Sequence, residues 1–388
     1  MRKCLTACLS ALLAAGAVCV PLLASGTAAV PARPRDAPSV GAQLAELKGS
    51  GAVAGDGFGE SVAVSGSTIV VAAPWAKYSA GQAYVFTKTA DGWEQAAELK
   101  GSLSVAISGT TAVVGSGADN ANAAYVFTKT ADGWEQVAEL KGSDSAANDM
   151  FGASVAISGS TAVISAPAHK PAGRAYVFTK TAAGWEQTAE LKGSGTVAGD
   201  GFGDSVALSG TIAVVGADGY AHDAGRAFVF TKTAAGWQQV AELKGSDTVA
   251  FDSFGVPVAI SGTTAVVGAE GHANNAGRAY VFTKAAGSWA QVAELKGSDA
   301  VSGDGFGHSV AISGTTAVVG VPWGRSSAGR AYVFTKTASG WGQVAELKGS
   351  DTVAQDEFGF SVAISGTTAV VGADGHANNA GRAYVFEA

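Results

Sequence analysis

The sequence predicts an all-β fold, a seven-bladed β-propeller with four antiparallel strands in each blade and a ring closed by its N-terminal strand. Two short strings recur in phase, seven times each. Leu-Lys-Gly-Ser begins at Leu47, Leu99, Leu140, Leu191, Leu243, Leu295 and Leu347. Tyr/Phe-Val-Phe begins at Tyr84, Tyr125, Tyr176, Phe228, Tyr280, Tyr332 and Tyr384. A fixed period of this kind means that stacked supersecondary units carry the fold.

Each repeat holds four runs with the composition of β-strands. In most units they read Ser-Val-Ala-Ile, Thr-Ala-Val-Val, Arg-Ala-Tyr-Val-Phe-Thr and Trp-Glu-Gln-Val-Ala-Glu-Leu-Lys, or close variants. β-Branched and aromatic residues fill these runs, and Gly, Ser, Asp or Thr bound them. A Ser-Gly turn joins the first two runs, because a tight hairpin needs a positive φ that Gly adopts easily. Four antiparallel strands repeated radially predict a propeller.

The fourth run predicts the outer edge of each blade. In the second unit, its alternating sets are Trp134, Gln136, Ala138 and Leu140 against Glu135, Val137, Glu139 and Lys141. Charges on this strand suit an exposed edge, where they oppose pairing with another sheet.

The two ends of the repeat region predict how the ring closes. Gly41 to Gly49 matches only a fourth strand, whereas Arg382 to Ala388 follows a second strand and matches only a third. We therefore expect residues 41–49 to complete blade seven, so that residues 41–388 form one propeller.

Residues 1–29 have the features of a secretory signal peptide, and residues 30–40 have those of a linker. Arg2 and Lys3 precede an apolar run that ends in small residues, as in the regions of a signal peptide. Residues 30–40 hold three prolines and read as a flexible linker. All three cysteines precede residue 30, so the mature chain would have no disulfide. We expect a secreted, extracellular protein with no membrane insertion after cleavage.

The charge balance argues against some partners. The chain has 25 Lys and Arg against 32 Asp and Glu, a net charge of −7, and no basic cluster. Nucleic acid and anionic membranes select basic surfaces, because binding neutralises phosphate. We therefore expect no nucleic-acid partner, and we expect a monomer.

Three motifs recur at fixed places in the units: a Phe-Gly pair, then Val-Gly-Ala or Ala-Pro, then Tyr-Val-Phe. The Phe-Gly pairs begin at Phe58, Phe151, Phe202, Phe254, Phe306 and Phe358. This order resembles the FG-GAP repeat of integrin α-subunit propellers and related secreted bacterial proteins. The resemblance covers residues 41–388 and implies a binding or adhesion module that recognises an extracellular protein or glycan.

Two departures from that family's pattern bear on function. Many integrin repeats carry an Asp-x-Asp-x-Asp-Gly calcium loop after the first strand, but here the link is only Ser-Gly with Ser or Thr following. Calcium takes about six to eight oxygen ligands, which this turn does not supply, so we expect no metal and no cofactor. In the second unit, Gly101-Ser102 runs directly into Leu103-Ser104-Val105 without an Asp-x-Phe-Gly loop. That absence predicts a notch in the ring.

The loops between the second and third strands differ most between units and are the predicted ligand-binding loops. Recognition usually lies on variable loops held by a rigid scaffold, and neutral drift in solvent is the alternative. The candidate side chains are Trp75, Tyr78, His169, Tyr220, His222, His272, Trp323, Arg325 and His376. The blades of Trp323, His376 and Trp75 are neighbours in the ring. We therefore expect an arc of exposed aromatic and polar groups there, together with Arg325 and Tyr78.

A second set of candidates follows the Phe-Gly pairs, at the expected mouth of the central channel. Glu60, Asp204 and His308 offer an acid/base or metal set, but their blades are expected to be too far apart for one ion. The acids before Phe-Gly could be mistaken for a metal ring, and we interpret them as residues that bind the backbone of their own turn. They are Asp56, Asp149, Asp200, Asp252, Asp304 and Asp356.

These patterns favour a binding module over an enzyme. No nucleophile elbow, Cys/His pair or repeated carboxylate pair stands out. A hydrolase acting at the channel mouth and a structural surface protein without a specific ligand are the alternatives, since the fold does not decide between them.

Deleting residues 41–49 is expected to lower the melting temperature markedly, because the ring would lose the strand that joins its two ends. Deleting residues 30–40 is expected to leave it unchanged. Thermal unfolding followed by circular dichroism compares the two deletions, and equal melting curves would contradict closure by this strand.

Overall fold

The computed structural model of the protein describes residues 38–79, 81–101, 103–116 and 122–388. The proposed signal peptide and most of the proposed linker lie outside the described residues, and so does the side chain of Tyr78. The unit discussed below is Pro38–Ala388.

The described residues form 28 strands and five helical turns of four residues each. The strands are β1 Gln43–Leu47, β2 Ser61–Ser65, β3 Thr68–Ala73, β4 Gln82–Lys88, β5 Trp93–Lys100, β6 Val105–Ser108, β7 Thr111–Gly115, β8 Ala124–Thr130, β9 Gly133–Leu140, β10 Val155–Ser158, β11 Thr161–Ala166, β12 Arg174–Thr181, β13 Gly184–Leu191, β14 Val206–Ser209, β15 Ile212–Ala217, β16 Arg226–Thr233, β17 Gly236–Leu243, β18 Val258–Ser261, β19 Thr264–Ala269, β20 Arg278–Ala285, β21 Ser288–Leu295, β22 Ser309–Ser313, β23 Thr316–Val321, β24 Arg330–Thr337, β25 Gly340–Leu347, β26 Val362–Ser365, β27 Thr368–Ala373 and β28 Arg382–Glu387. The helical turns are α1 Ala76–Ser79, α2 Tyr220–Asp223, α3 His272–Asn275, α4 Gly324–Ser327 and α5 His376–Asn379.

Seven four-stranded antiparallel sheets form the blades, which confirms the predicted fold class. Strands β2 to β5 form blade one, and each following set of four strands forms the next blade, up to β25 in blade six. Blade seven has the order β1-β28-β27-β26, so the N-terminal strand is its outer strand. Gly41 donates to the carbonyl of Glu387 over 2.7 Å, and Glu387 donates to that of Ala42 over 3.0 Å. Main-chain pairing therefore closes the ring, as the sequence predicted.

The apolar core lies between the blades. Each of seven buried clusters combines side chains from two adjacent blades. Between blades seven and one, Val370 and Val385 share a cluster with Phe58, Val71 and Tyr84. Burial stabilises by roughly 25 cal/mol per Å² of apolar surface, so each blade depends on both of its neighbours.

The first strand of every blade lines a central channel with Val-Ala-Ile or a close variant, and the channel volume is about 220 Å³. At its turn end, a serine hydroxyl of each blade accepts a hydrogen bond from a glycine N–H of the next blade, over 3.0 to 3.1 Å. The pairs are Ser65–Gly109, Ser108–Gly159, Ser158–Gly210, Ser209–Gly262, Ser261–Gly314, Ser313–Gly366 and Ser365–Gly66. The last pair returns to blade one, so these bonds also form a closed ring.

The outer strand of each blade contains a β-bulge. In blade two, Val126 pairs with Ala138 and Phe127 pairs with Gln136, so Val137 is an extra residue and is exposed. Two residues then face one on the partner strand. The predicted alternation of burial holds in β9 except at Gln136, which is exposed. Its equivalents in the other blades bond a serine of the entering loop, and the serine of this blade lies outside the described residues.

Four of the helical turns, α2 to α5, are left-handed. Each of them connects its own blade to the next blade in the ring. In α3, Ala273, Asn274 and Asn275 have φ values of 54°, 58° and 62°. This conformation costs L-residues roughly 1–2 kcal/mol each. It directs successive carbonyls at the next blade, where Gly303, Gly305 and Phe306 donate to Asn274, Asn275 and Ala276 over 3.2, 2.8 and 3.2 Å. We call this three-bond contact the interblade joint.

The same joint links blade four to five, six to seven and seven to one. Its Phe-Gly loop approaches so closely that some positions exclude a side chain. A Cβ added at Gly381 would lie 1.9 Å from the carbonyl oxygen of Phe58, and one at Gly59 would lie 2.4 Å from that of Arg382. The joint between blades seven and one is therefore a third contact that closes the ring, in addition to the pairing of β1 with β28 and the serine–glycine hydrogen bonds.

Blade two has no Phe-Gly loop, and its contacts differ accordingly. Leu103 donates to the carbonyl of Gly115 in its own blade over 3.1 Å. Phe151 of blade three donates to the side-chain Oδ1 of Asn122 over 3.1 Å, where other blades offer a carbonyl. Blades two and three are therefore joined partly by side chains.

Replacing Gly303 by Ala is expected to lower the free energy of unfolding by about 1 kcal/mol, because a left-handed backbone is costly for residues with a Cβ. Gly303 has φ of +88° and nothing within 4 Å of an added Cβ, so steric contact adds no cost. Denaturant unfolding measures the change.

Gly342 is the matched control, since its added Cβ also meets nothing within 4 Å and its φ is not positive. Gly342→Ala is expected to leave stability unchanged or slightly higher. Equal effects of the two substitutions would contradict the assigned backbone strain.

Candidate ligand-binding face

The loops of one face surround the end of the channel opposite the serine ring. They comprise the segment that enters the first strand of each blade and the loop between its second and third strands. The interblade joints hold these two kinds of loop together, since each Phe-Gly loop bonds to the strand two to three loop of the preceding blade. A rigid scaffold thus presents the variable residues.

The six acids before Phe-Gly hold their own turns. Oδ2 of Asp304 accepts the N–H of Val301 over 3.0 Å, and each of the other five makes the same bond three residues back. All six side chains belong to buried residues. This geometry agrees with their interpretation as turn residues.

In blades three, five and seven, a histidine of the predicted ligand set fills a slot between two acids and a tyrosine. In blade five, Nδ1 of His272 lies 2.9 Å from Oδ2 of Asp252, and Nε2 lies 3.6 Å from Asp247. The hydroxyl of Tyr280 donates to Asp247 over 2.7 Å. The His272 side chain is only 13% exposed. We call this space the histidine slot.

The other two histidine slots repeat this arrangement. His169 and His376 lie 2.7 and 2.8 Å from the acids of their own Phe-Gly loops. The hydroxyls of Tyr176 and Tyr384 donate to Asp144 and Asp351 over 2.8 and 2.7 Å. The bond from Tyr176 holds the pKa of Asp144 below its usual range. These contacts favour a structural role for the three histidines, which sequence reasoning had placed among ligand-binding residues.

Blades four and six fill the same slot with other side chains. Arg330 reaches it in blade six, and its guanidinium donates to Asp304 over 2.6 Å and to Asp299 over 2.7 Å. Tyr220 occupies it in blade four, with its ring 6.0 Å from that of Phe228 and 5.0 Å from the guanidinium carbon of Arg226. The aromatic candidate Tyr220 is thus partly buried by its own blade.

The remaining candidates of the strand two to three loops differ in exposure. Trp75 is 54% exposed and donates a hydrogen bond to Glu60. Trp323 is only partly exposed and lies 4.8 Å from His308, ring to ring. Arg325 is exposed and bonds Asp299 over 3.1 Å. His222 is exposed on α2. Trp75, Arg325 and His222 are therefore the candidates most open to a ligand.

The structure gives each channel-mouth candidate a different partner. Burial raises the pKa of Glu60, and the hydrogen bond from Trp75 partly opposes this rise. His308 lies 2.6 Å from Glu270. Burial and a hydrogen bond shared with Asp218 raise the pKa of Asp204 to about 9. Within the described part of the chain, no hydrogen bond joins any two of Glu60, Asp204 and His308.

Sequence reasoning missed two acids at this mouth. Burial and the nearby carboxylate of Glu357 raise the pKa of Asp374 to about 7, with a smaller contribution from Glu60. Both residues occupy positions that vary between repeats, and only the ring brings blade seven beside blade one. No group of three or more His, Cys, Asp or Glu among the described residues is placed to hold a metal.

Sequence reasoning also missed a ring of exposed aliphatic side chains on this face. The valine three residues before the turn acid is 61 to 63% exposed in five blades. These residues are Val53, Val197, Val249, Val301 and Val353. Phe251, two residues after Val249, is 72% exposed, and Met150 in blade three is exposed as well. We call these residues, with Trp75, the apolar ring.

Joints and slots of this kind define a seven-bladed propeller built from Phe-Gly repeats. The family profile described as FG-GAP repeat matches residues 42–86, 134–178, 185–230, 237–282, 289–334 and 341–386. These segments cover more than half of the chain, so the protein belongs to the FG-GAP repeat family. Residues 87–133, which the profile leaves unmatched, include most of blade two. No curated protein matches the chain. None of the described helical turns has the length and hydropathy to span a bilayer.

Replacing Asp204 by Asn is expected to flatten the dependence of stability on pH. With a pKa of about 9 in the folded state, Asp204 keeps its proton when the unfolded chain has lost it. Its contribution to stability is thus full below about pH 4 and is lost as pH rises to about 9. Asp204→Asn should therefore raise the melting temperature at pH 8 and not at pH 4.

Asp223→Asn is the control, since Asp223 is an exposed carboxylate in the same blade. Melting temperatures are measured from pH 4 to 9 for both variants and the parent. If the melting temperatures of Asp204→Asn and the parent change with pH in parallel, Asp204 is not a buried acid that keeps its proton in the folded state.

Proposed function

We propose that the protein is a secreted binding module whose loop face recognises an extracellular protein or glycan. The apolar ring is the observation that carries this proposal. Its members lie on loops, although nothing in the blade core requires apolar side chains there. Exposed apolar groups grouped on one surface mark interaction sites more often than isolated ones do.

The distribution of exposed apolar residues supports the choice of face. Eight of the exposed large apolar residues of the described chain lie on the loop face, and these are Val53, Trp75, Met150, Val197, Val249, Phe251, Val301 and Val353. Most of the others are bulge residues on outer strands, such as Val292 and Val344. The Ser-Gly turns of the opposite face contribute none among the described residues. One end of the propeller is thus apolar and varied, and the other is polar and uniform.

The composition of the ring favours a protein over a glycan. Sugars are held mainly by hydrogen bonds and by stacking on aromatic rings, whereas protein interfaces also bury aliphatic groups at their centre. Five members of the ring are valines, and two are the aromatic residues Trp75 and Phe251. The acidic charge of the chain, −7, favours a partner with a basic rim.

Secretion is supported by the signal-like residues 1–29. The channel-mouth hydrolase has less support, because Glu60, Asp204 and His308 each face a different partner. A binding module is consistent with the FG-GAP repeat family to which the chain belongs.

Removing apolar surface from the ring is expected to weaken binding without loss of fold. The variant carries Val249→Thr, Val301→Thr and Phe251→Asn. Thr keeps the shape of Val, and Asn tolerates the positive φ of Phe251. The mature protein is tested for binding to a panel of immobilised extracellular proteins and to a glycan array, with and without chelator. Affinity for the partner found should fall by more than about 1 kcal/mol.

Val292→Thr with Val344→Thr is the matched control, because these valines are similarly exposed on outer strands. Equal losses in both variants, or none in either, would rule out the apolar ring as the binding surface. Retention of glycans alone would favour the glycan form of the proposal.

A further inference from the structure

In blade one, no side chain of the described residues fills the histidine slot. Its loop has the same length as that of blade seven, and Gly81 donates to the carbonyl of Ala76 as Gly381 does to that of His376. Ala76 therefore stands where blade seven has His376. Gly51 stands where blade seven has Asp351.

The space left by these two replacements is an open cavity of about 540 Å³. Its walls include Asp56, Trp75, Lys77 and Tyr84. In every other blade that has a Phe-Gly loop, an imidazole, a guanidinium or a phenol occupies the equivalent position. The cavity is thus a position that the fold normally fills with a planar polar group.

One of the two acids that hold this group elsewhere, Asp56, is still present, and so is the tyrosine, Tyr84. Asp56 is 7% exposed, and within the described residues its side chain makes one hydrogen bond, which Oδ2 accepts from the N–H of Val53 over 2.9 Å. In blade five the same Oδ2 also accepts Nδ1 of His272. Asp56 therefore retains the capacity for one more N–H donor.

Tyr84 is the second group of this slot that lacks the hydrogen bond made by its equivalents in other blades. It is 3% exposed, and its hydroxyl has no hydrogen-bond partner among the described residues. The equivalent Tyr384 donates to Asp351 over 2.7 Å. Because Tyr84 lines the open cavity, a ligand that enters the cavity can bond this hydroxyl in place of the carboxylate that blade seven supplies.

We propose that the blade-one cavity binds a planar nitrogen donor of the imidazole or guanidinium class, presented by a ligand of the loop face. Such a group donates to Asp56 as His272 does to Asp252 in its own slot. Its other edge meets the hydroxyl of Tyr84, which can donate or accept. The indole of Trp75 forms one wall and attracts a cation through its ring face.

The charges around the cavity agree with this choice of ligand. Burial raises the pKa of Tyr84 to about 12, and the negative charges of Glu98 and Asp56 contribute to the rise. Lys77, the one cation among the described residues of the wall, is paired with Glu98 over 3.0 Å at the rim. An anionic ligand would meet the carboxylate of Asp56, whereas a nitrogen donor is complementary to it.

The proposal rests on the proposed function for the source of the ligand, but small probes test the site independently. Imidazole and methylguanidinium are titrated into the full chain, with binding followed by calorimetry and by NMR of the tyrosine and tryptophan signals. Acetate is the anionic comparison. We expect one equivalent of imidazole or methylguanidinium to bind at millimolar concentration or tighter, with no binding of acetate.

Two variants test whether the probe binds in the blade-one cavity. Ala76→His rebuilds the arrangement of blade seven and should reduce probe affinity at least tenfold while the melting temperature is unchanged or higher. His376→Ala empties the slot of blade seven and should add a second equivalent of imidazole. That variant also shows whether an emptied slot takes the probe at all.

The results separate the site from the partner. Probe binding by the parent that Ala76→His removes supports the site, even if no protein partner is found on the loop face. Absence of probe binding to the parent, binding unaffected by Ala76→His, or equal binding of acetate would each overturn the proposal. Loss of partner binding in the apolar-ring variant with probe binding intact concerns the proposed function alone.

Discussion

The interblade joint, which is present at four of the contacts between neighbouring blades, is the interaction that fixes the loop face of this propeller. A left-handed turn of one blade offers three successive carbonyls, and the Phe-Gly loop of the next blade supplies the three N–H groups. The hydrogen bonds of the joint offset the cost of the left-handed backbone. A right-handed turn would direct the same carbonyl groups elsewhere. The phenylalanine beside the last bond then fills the space between blades, as Phe58 does between blades seven and one.

Because this joint holds the loops in place, the slot above it can change its contents. Three blades use a histidine between two acids, one uses Arg330 and one uses Tyr220. The changes are coordinated. In blade four, where Tyr220 takes the slot, Gly195 replaces the acid and Phe228 replaces the tyrosine. In blade six, the guanidinium of Arg330 bonds Asp299 and Asp304, whereas its buried Nε has no hydrogen-bond partner among the described residues.

The fold and much of the loop face follow from residues that repeat. The seven blades, the N-terminal closing strand and the missing loop of blade two were all predicted from in-phase motifs. Variability between the loops did not by itself indicate which candidate side chains are exposed. His169, His272 and His376 each take the third place of a loop that varies between blades, yet each is held by carboxylates. Trp75 and Arg325 are exposed as expected.

The sequence by itself determined the period, the strand order and the turns, since these depend on local composition and on spacing along the chain. Tertiary structure alone decided which loop residues are free, because each slot is assembled from two loops of one blade and the buried strand between them. The same limit applies to the empty slot of blade one. Ala76 and Gly51 are small residues in unremarkable loops, and only their position around Tyr84 makes them the walls of a cavity.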